Sequence, residues 1–284
     1  MCTTCGCSPS DHHIDHSDDH VHPHDQSHDH GHKHNHDHDH HHHDHKHGHK
    51  HDHDHSSHHD TRPAQRTIIA IEEEILGKNN RLAGFNRALF KEKGIFTLNL
   101  VSSPGSGKTT LLERTLRALS ATLRCAVIEG DQQTDNDARR IAATGVPVKQ
   151  INTGAGCHLD AHMIMHGTES FDLDNLDLLL IENVGNLVCP AAFDLGEHHK
   201  VVLLSVTEGE DKPLKYPQMF HNSTVMLLNK TDLLPYVSFD VEKCKEYARR
   251  VSPEIIIFEV SATTGAGMAE WYRWLAEGTG TPIA

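Results

Sequence analysis

From Ile95 to Thr263 the chain alternates short apolar runs with longer segments of helical periodicity. The runs are "IFTLNLVSS", "RCAVIEGD", "VPVKQINTG", "LDLLLIENVG", "KVVLLSVTEG", "STVMLLNKTD" and "EIIIFEVSAT". Most are near-continuous in Val, Ile and Leu and lack the polar alternation of a sheet with one wet face. Seven strands of this buried type, separated by helices, predict an α/β fold: a mostly parallel seven-stranded sheet with helices on both faces. Crossovers of that kind gather the strand C-terminal ends, and with them any ligand, along one edge.

Upstream, "TIIAIEEEILGKNNRLAGFNRALFKEKG" spaces Ile68, Ile71, Ile75, Leu82, Phe85 and Leu89 near helical intervals. That spacing predicts an amphipathic helix, loosened around Gly77 to Asn80. "DTRPAQR" before it reads as a short polar joint around Pro63.

N-terminal to that joint the periodicity stops. Residues 1–60 hold 24 of the 30 histidines and 12 aspartates against 3 lysines, with Ile14 and Val21 as their aliphatic side chains. So little apolar surface cannot offset the entropy of ordering the segment. The expectation is a disordered Cys/His-rich metal-binding tail over 1–60 and one folded domain over 61–284. Most of the net charge of −14 lies in the tail. The folded part therefore has no basic footprint for nucleic acid or an anionic membrane surface. No apolar run is long enough to span a membrane and no secretory h-region follows Met1, so a soluble, cytoplasmic chain is expected. Seven cysteines in a reducing compartment then read as metal ligands or buried thiols, not as a disulfide framework.

The first strand runs into "SSPGSGKTTLLERTL". Gly105, Ser106, Gly107, Lys108, Thr109 and Thr110 stand where a phosphate-binding loop would hold a nucleotide. Backbone N–H groups and the following helix N-terminus surround phosphate oxygens, Lys108 adds a point charge, and the Thr109 hydroxyl reaches Mg²⁺. The pattern's first glycine is replaced by Ser102. "NKTD", with Asn229, Lys230 and Asp232, closes a later strand. An aspartate there accepts from the paired donors of guanine, which adenine lacks, so GTP is favoured over ATP. Ser261 and Ala262, in "SAT" after the next strand, join the nucleotide set.

Two acids end strands on the same edge, Asp131 after "CAVIEG" and Glu182 after "LDLLLI". Either can hold Mg²⁺ through a water, and Asp131 can also position the attacking water; Asp131 and Lys108 are the catalytic candidates. The bland alternative is that one of the acids caps the loop that follows. Cys157 and His158 are adjacent in "TGAGCHLDA", and Cys189 follows Glu182 in "ENVGNLVCP". Thiolates with an imidazole suit Ni²⁺ or Zn²⁺ better than Mg²⁺. A metal ligand on the segment after a nucleotide-sensing acid would have its geometry biased by GTP or GDP. Cys125, inside a strand, and Cys244, inside a helix, read as core.

The N-terminus "MCTTCGC" adds Cys2, Cys5 and Cys7. Removal of Met1 would leave an amine beside three thiolates, a set suited to square-planar Ni²⁺. Tail histidines His28, His30, His32, His34, His36, His38, His40, His41, His42, His43, His45, His47, His49, His51, His53 and His55 form a candidate nickel store. An affinity tag is the blandest reading of them, but tags are usually unbroken histidine runs, and here only His40 to His43 run together.

Taken together, "SSPGSGKTT", "EGDQQTDNDA", "NTGAGCHLDA", "ENVGNLVCP", "SVTEGEDKP" and "NKTDLLPY" resemble the HypB family of hydrogenase nickel-incorporation GTPases, from Ile68 onward. The resemblance implies a SIMIBI-class P-loop GTPase that forms a homodimer and delivers Ni²⁺ to the large-subunit precursor of [NiFe]-hydrogenase. It implies partnership with a zinc-containing HypA-type chaperone and, in some organisms, with the metallochaperone SlyD. By position it gives Lys108 and Thr109 to phosphate and Mg²⁺, Asp131 and Glu182 to magnesium and hydrolysis, and Asp232 to guanine. Cys157, His158 and Cys189 match its G-domain metal site, and Cys2, Cys5 and Cys7 its CxxCGC nickel motif. Two alternatives stand beside it. A urease-type nickel-insertion GTPase would carry a Cys-Pro-His triplet, which this chain lacks; a storage protein would have a merely regulatory GTPase body.

Overall fold

The computed structural model describes residues 62–281, with side chains on the first helix from Ala70 onward. The tail expectations, including Cys2, Cys5, Cys7 and the sixteen histidines from His28 to His55, lie outside the described residues.

All seven expected strands form, β1 (Phe96–Ser102), β2 (Cys125–Asp131), β3 (Val148–Asn152), β4 (Leu178–Glu182), β5 (His199–Ser205), β6 (Val225–Asn229) and β7 (Ile256–Glu259). They make one sheet in the order β3-β2-β4-β1-β5-β6-β7, and every pairing is parallel. Eight α-helices accompany them among the described residues: α1 (Arg62–Lys93), α2 (Lys108–Leu119), α3 (Asn136–Ala142), α4 (Ala161–Thr168), α5 (Lys212–Lys215), α6 (Pro217–His221), α7 (Val241–Val251) and α8 (Met268–Gly278).

Alternation within the buried strands sends successive side chains to opposite faces, so both faces need cover. Leu98 and Leu100 pack with Leu111, Leu112 and Leu116 of α2 and Trp271 of α8. On the other face Val202 and Leu204 meet Phe220 of α6 and Cys244 of α7, while Ile128 and Ile181 meet Phe90 of α1 and Ile164 of α4. Cys125 and Cys244 are buried core thiols. Leu233, Leu234 and Val237 pack against the Phe220 cluster. β3 and β7 are edge strands, and Ile256 is partly open although its run looked fully buried in sequence.

The first helix departs from the sequence expectation in three ways. It is unbroken from Arg62 to Lys93, with no loosening at Gly77 to Asn80. The supposed joint is part of it: Pro63 sits in the first turn, where its missing N–H has no intrahelical partner to lose. Its buried face is not its apolar stripe. Ile71 and Ile75 are 52% exposed and Phe85 70%, whereas Asn79, Ala83, Asn86 and Phe90 are buried. The two asparagines are inside because loop backbones next to the sheet need their hydrogen bonds.

No described helix is long and apolar enough to cross a membrane. At the sheet's centre β1 lies between β4 and β5, so the chain leaves β1 and β4 in opposite directions and opens a crevice at their C-terminal ends.

Candidate functional site

β1 ends at that crevice and the chain turns into α2 through Gly107, which has φ 100°. A Cβ on Gly107 would lie 2.8 Å from the Asn229 amide nitrogen, so both the backbone and the close approach demand glycine. Pro104 to Thr110 line a cleft of about 410 Å³ with Asp131, Gln132, Asp137, Arg140, Glu182, Val184 and Gly185. The N–H groups of the first turn of α2, which a helix leaves without intrahelical partners, would favour an anion in the cleft. Lys108 Nζ donates to Ser102 Oγ at 2.9 Å, so the serine in the place of the pattern's first glycine holds the lysine at the cleft's base. Burial lowers the Lys108 pKa against the opposing pull of Glu182.

Glu182 Oε1 accepts from Thr109 Oγ1 at 2.7 Å. Its Oε2 is buried with no partner among the described residues, as is Glu129 Oε2, and the β2–β4 register sets these two acids side by side. Burial, then the Glu182 and Asp131 charges, pushes Glu129 up to about 8; burial pushes Glu182 up to about 7. An orphaned carboxylate oxygen beside a threonine hydroxyl fits Mg²⁺, with Thr109 and Glu182 as the residues that would hold it. Asp131 lines the same cleft. Burial acts against its charge, but hydrogen bonds from Thr134 Oγ1 and from the N–H groups of Gln132 and Thr134 keep its carboxyl below the usual range. It therefore stays an acceptor, able to orient a water.

"NKTD" and "SAT" meet beside this cleft. Asp232 Oδ1 accepts from Ser261 Oγ at 2.5 Å, and Asn229 Oδ1 accepts from Ala262 N at 3.1 Å. The Asn229 amide donates to Ser106 O at 3.0 Å, and Lys230, at φ 62°, sends Nζ to Gly105 O at 2.7 Å. Asn229 and Lys230 thus brace the phosphate loop, and Asp232 with Ser261 forms the rim on which a base would be read. Thr110 Oγ1 accepts from Arg140.

A second cluster lies on the neighbouring loops. One donor atom each from Cys157, His158 and Cys189 falls within 4.8 Å of the others, and Cys157 Sγ is 3.6 Å from His158 Nδ1. The neighbouring Cys189 thiol, with burial, raises the Cys157 pKa, so a metal binding there would displace the thiol proton. Burial lowers the His158 pKa against the Asp160 charge and keeps the ring in its neutral, ligating form. The ring packs on Phe193 with centroids 3.9 Å apart. Soft thiolates and an imidazole at this spacing suit Ni²⁺ or Zn²⁺.

The two sites share a boundary. Asn183, next to Glu182, accepts through Oδ1 from Leu159 N, next to His158, at 3.0 Å. A Cβ on Gly185 would lie 3.1 Å from Pro104 Cα, so the segment leading to Cys189 lies against the phosphate loop. Sequence reasoning missed Asn183, Glu129, Asp137 and Arg140. Of these only Glu129, an acid inside an apolar strand run, carried a signal in sequence.

Comparison with known proteins bears on this geometry. The CobW/HypB/UreG nucleotide-binding domain matches residues 96–259. "Hydrogenase maturation factor HypB" of Azotobacter vinelandii is 63% identical over 220 residues, covering 78% of this chain and 73% of the relative. Its Escherichia coli K12 counterpart is 63% identical over 212 residues, covering 75% and 73%. The crystal structure of HypB from Helicobacter pylori in complex with nickel superposes with TM-score 0.68 at 40% identity, covering 71% of this chain and 95% of that one.

Proposed function

Because the chain belongs to the HypB family of P-loop GTPases, we propose that it hydrolyses GTP to GDP and phosphate and uses that cycle to deliver Ni²⁺ to a [NiFe]-hydrogenase large-subunit precursor. In this reading the loop from Gly105 to Thr110 holds the phosphates, and Lys108 leaves Ser102 to meet them. Asp232 and Ser261 read guanine. Thr109 and Glu182 hold Mg²⁺, which neutralises charge developing on the phosphate oxygens when bound. Asp131 accepts a hydrogen bond from the attacking water and orients it.

Nickel is cargo. Cys157, His158 and Cys189 take it up, and the same site accepts Zn²⁺ by ligand chemistry. The observation that carries the reading is the hydrogen bond from Leu159 N to Asn183, which supports a direct mechanical link between the acid at the nucleotide and the ligand at the metal. When the γ-phosphate leaves, Glu182 and Asn183 shift, and the His158 segment follows. The tail supplies stored nickel through its histidines and Cys2, Cys5 and Cys7. The delivering form is a homodimer that meets a HypA-type chaperone and the hydrogenase precursor in the cytoplasm, with SlyD as a further nickel source.

Turnover of GTP by the full chain with Mg²⁺, with ATP and the Lys108→Ala variant as controls, tests the enzymatic half. Guanine-selective turnover that the variant abolishes supports it; equal turnover of ATP, or turnover that survives Lys108→Ala, contradicts it.

A further inference from the structure

Two buried asparagines on α1 have no part in nucleotide or metal chemistry as derived so far. Asn79 is 5% exposed and Asn86 2%. Asn79 accepts through Oδ1 from Ala161 N at 2.9 Å and donates through Nδ2 to Asp194 O at 2.8 Å. Asn86 Nδ2 donates to Ala161 O at 2.8 Å and to Leu195 O at 3.0 Å. Both side chains therefore bridge the same two strands of loop. Ala161 follows closely on Cys157 and His158; Asp194 and Leu195 follow closely on Cys189.

We propose that Asn79 and Asn86 are positioning residues for the thiolate and imidazole cluster, setting the span between the Cys157–His158 segment and the Cys189 segment. The inference rests on reading Cys157, His158 and Cys189 as metal ligands. An apolar side chain would be buried at either position without desolvating an amide, so the asparagines are explained by the backbone groups they satisfy. The loop meets the helix without a gap. A Cβ on Gly196, at φ 92°, would come within 2.6 Å of Asn86 Cβ and 2.7 Å of Ala83 O, which leaves room only for glycine. Arg87 reinforces the junction with two bonds to Asp194, at 2.6 and 2.8 Å. Phe193, just before the clasped residues, carries the constraint onto the His158 ring. Loosening either asparagine lets the two loops drift, and a metal site held by one residue pair and one distant cysteine loses its bite.

The test uses the full-length chain carrying Cys2→Ser, Cys5→Ser and Cys7→Ser, so that the thiolate-to-nickel charge-transfer band reports the G-domain cysteines. Ni²⁺ affinity is read from that band by competition with a chelator. Asn79→Ala and Asn86→Ala each weaken Ni²⁺ binding about tenfold or more, the range of ligand-supporting partners. Asn79→Asp, which keeps the acceptor for Ala161 N but faces Asp194 O with no donor, weakens it as well and guards against a misfolded alanine variant. Leu275→Ala removes packing from α8 on the other face of the sheet and serves as the stability control; it leaves affinity and band energy unchanged. Asparagine variants that match the parent, or a Leu275→Ala variant that weakens nickel equally, overturn the proposal. A band lost in Cys157→Ser but indifferent to the asparagines overturns this inference alone. A band that survives Cys157→Ser overturns the metal-site reading and this inference with it.

Discussion

Asn183 Oδ1 accepts a hydrogen bond from Leu159 N at 3.0 Å, and both residues are buried. Each is the immediate neighbour of a chemically committed side chain, Glu182 on one side and His158 on the other. The same oxygen accepts from Val184 N, and the Asn183 amide donates to Asn99 in β1. The end of β4, the segment after His158 and β1 are thus held on one side chain.

Replacing that side chain separates the two sites. Asn183→Ala strands the buried N–H of Leu159, which costs about 1–3 kcal/mol of stability, measured by urea denaturation. More diagnostic is the loss of any nucleotide effect on nickel affinity while nickel still binds. A variant in which GTP and GDP still shift nickel as in the parent would show that the link runs elsewhere.

The role proposed for Asp232 in reading guanine gives a cleaner chemical test. Asp232→Asn replaces an ionised acceptor by an amide that presents a donor to guanine's own donors. The loss of two charge-assisted hydrogen bonds costs about 3 kcal/mol or more, roughly a hundredfold in GTP affinity. Calorimetric titration with GTP and with ATP checks it. A unchanged preference for GTP would remove Asp232 from the base site.

The paired acids predict a pH dependence for the nucleotide-free, metal-free protein. Glu129 is raised from 4.5 to about 8 in the fold, first by burial and then by the charges of Glu182 and Asp131. Native protein therefore keeps this proton after the unfolded chain has released it. By linkage, the stability this group contributes is fully present below the ordinary carboxylate pKa and is lost as pH rises toward about 8. Urea midpoints measured across that window should decline, and Glu129→Gln should flatten the decline. A midpoint that rises with pH in the parent, or a variant with the same slope, would contradict the assignment.

For the tail, an unperturbed imidazole, with pKa near ~6.5, is largely neutral at neutral pH and can bind metal. Interleaved aspartates favour protonation, so nickel held by His28 to His55 should be released as pH drops below about 6. Equilibrium dialysis from about pH 7.5 to about 5.5 reads this directly. Full retention of nickel over that range would rule out histidine storage.

Much of this architecture was legible in sequence because it depends on local signals. Five of the seven strands announce themselves as buried runs, and the phosphate loop and "NKTD" follow strands as their chemistry requires. The face of α1 was not legible. Ile71, Ile75 and Phe85, half of the stripe that periodicity selects, are exposed, yet Asn79 and Asn86 are inside, since their partners Ala161, Asp194 and Leu195 are distant in the chain. Asn229 shows the same limit. Its motif placed it in the nucleotide set, while the partners its amide and carbonyl brace, Ser106 and Ala262, are distant in the chain. Cys157, His158 and Cys189 were nameable as ligands from residue type and flanking glycines, while their convergence within 4.8 Å is a property of the folded sheet edge.

The central claim is that nucleotide state and nickel share one element. It is tested most directly by nickel affinity at Cys157, His158 and Cys189, measured with a non-hydrolysable GTP analogue and again with GDP. Coupling of the usual size, about 1–3 kcal/mol, predicts affinities that differ at least about fivefold between the two states. The difference should vanish in Cys157→Ala and Cys189→Ala. Equal affinities with both nucleotides, or a difference that survives both substitutions, would contradict the account.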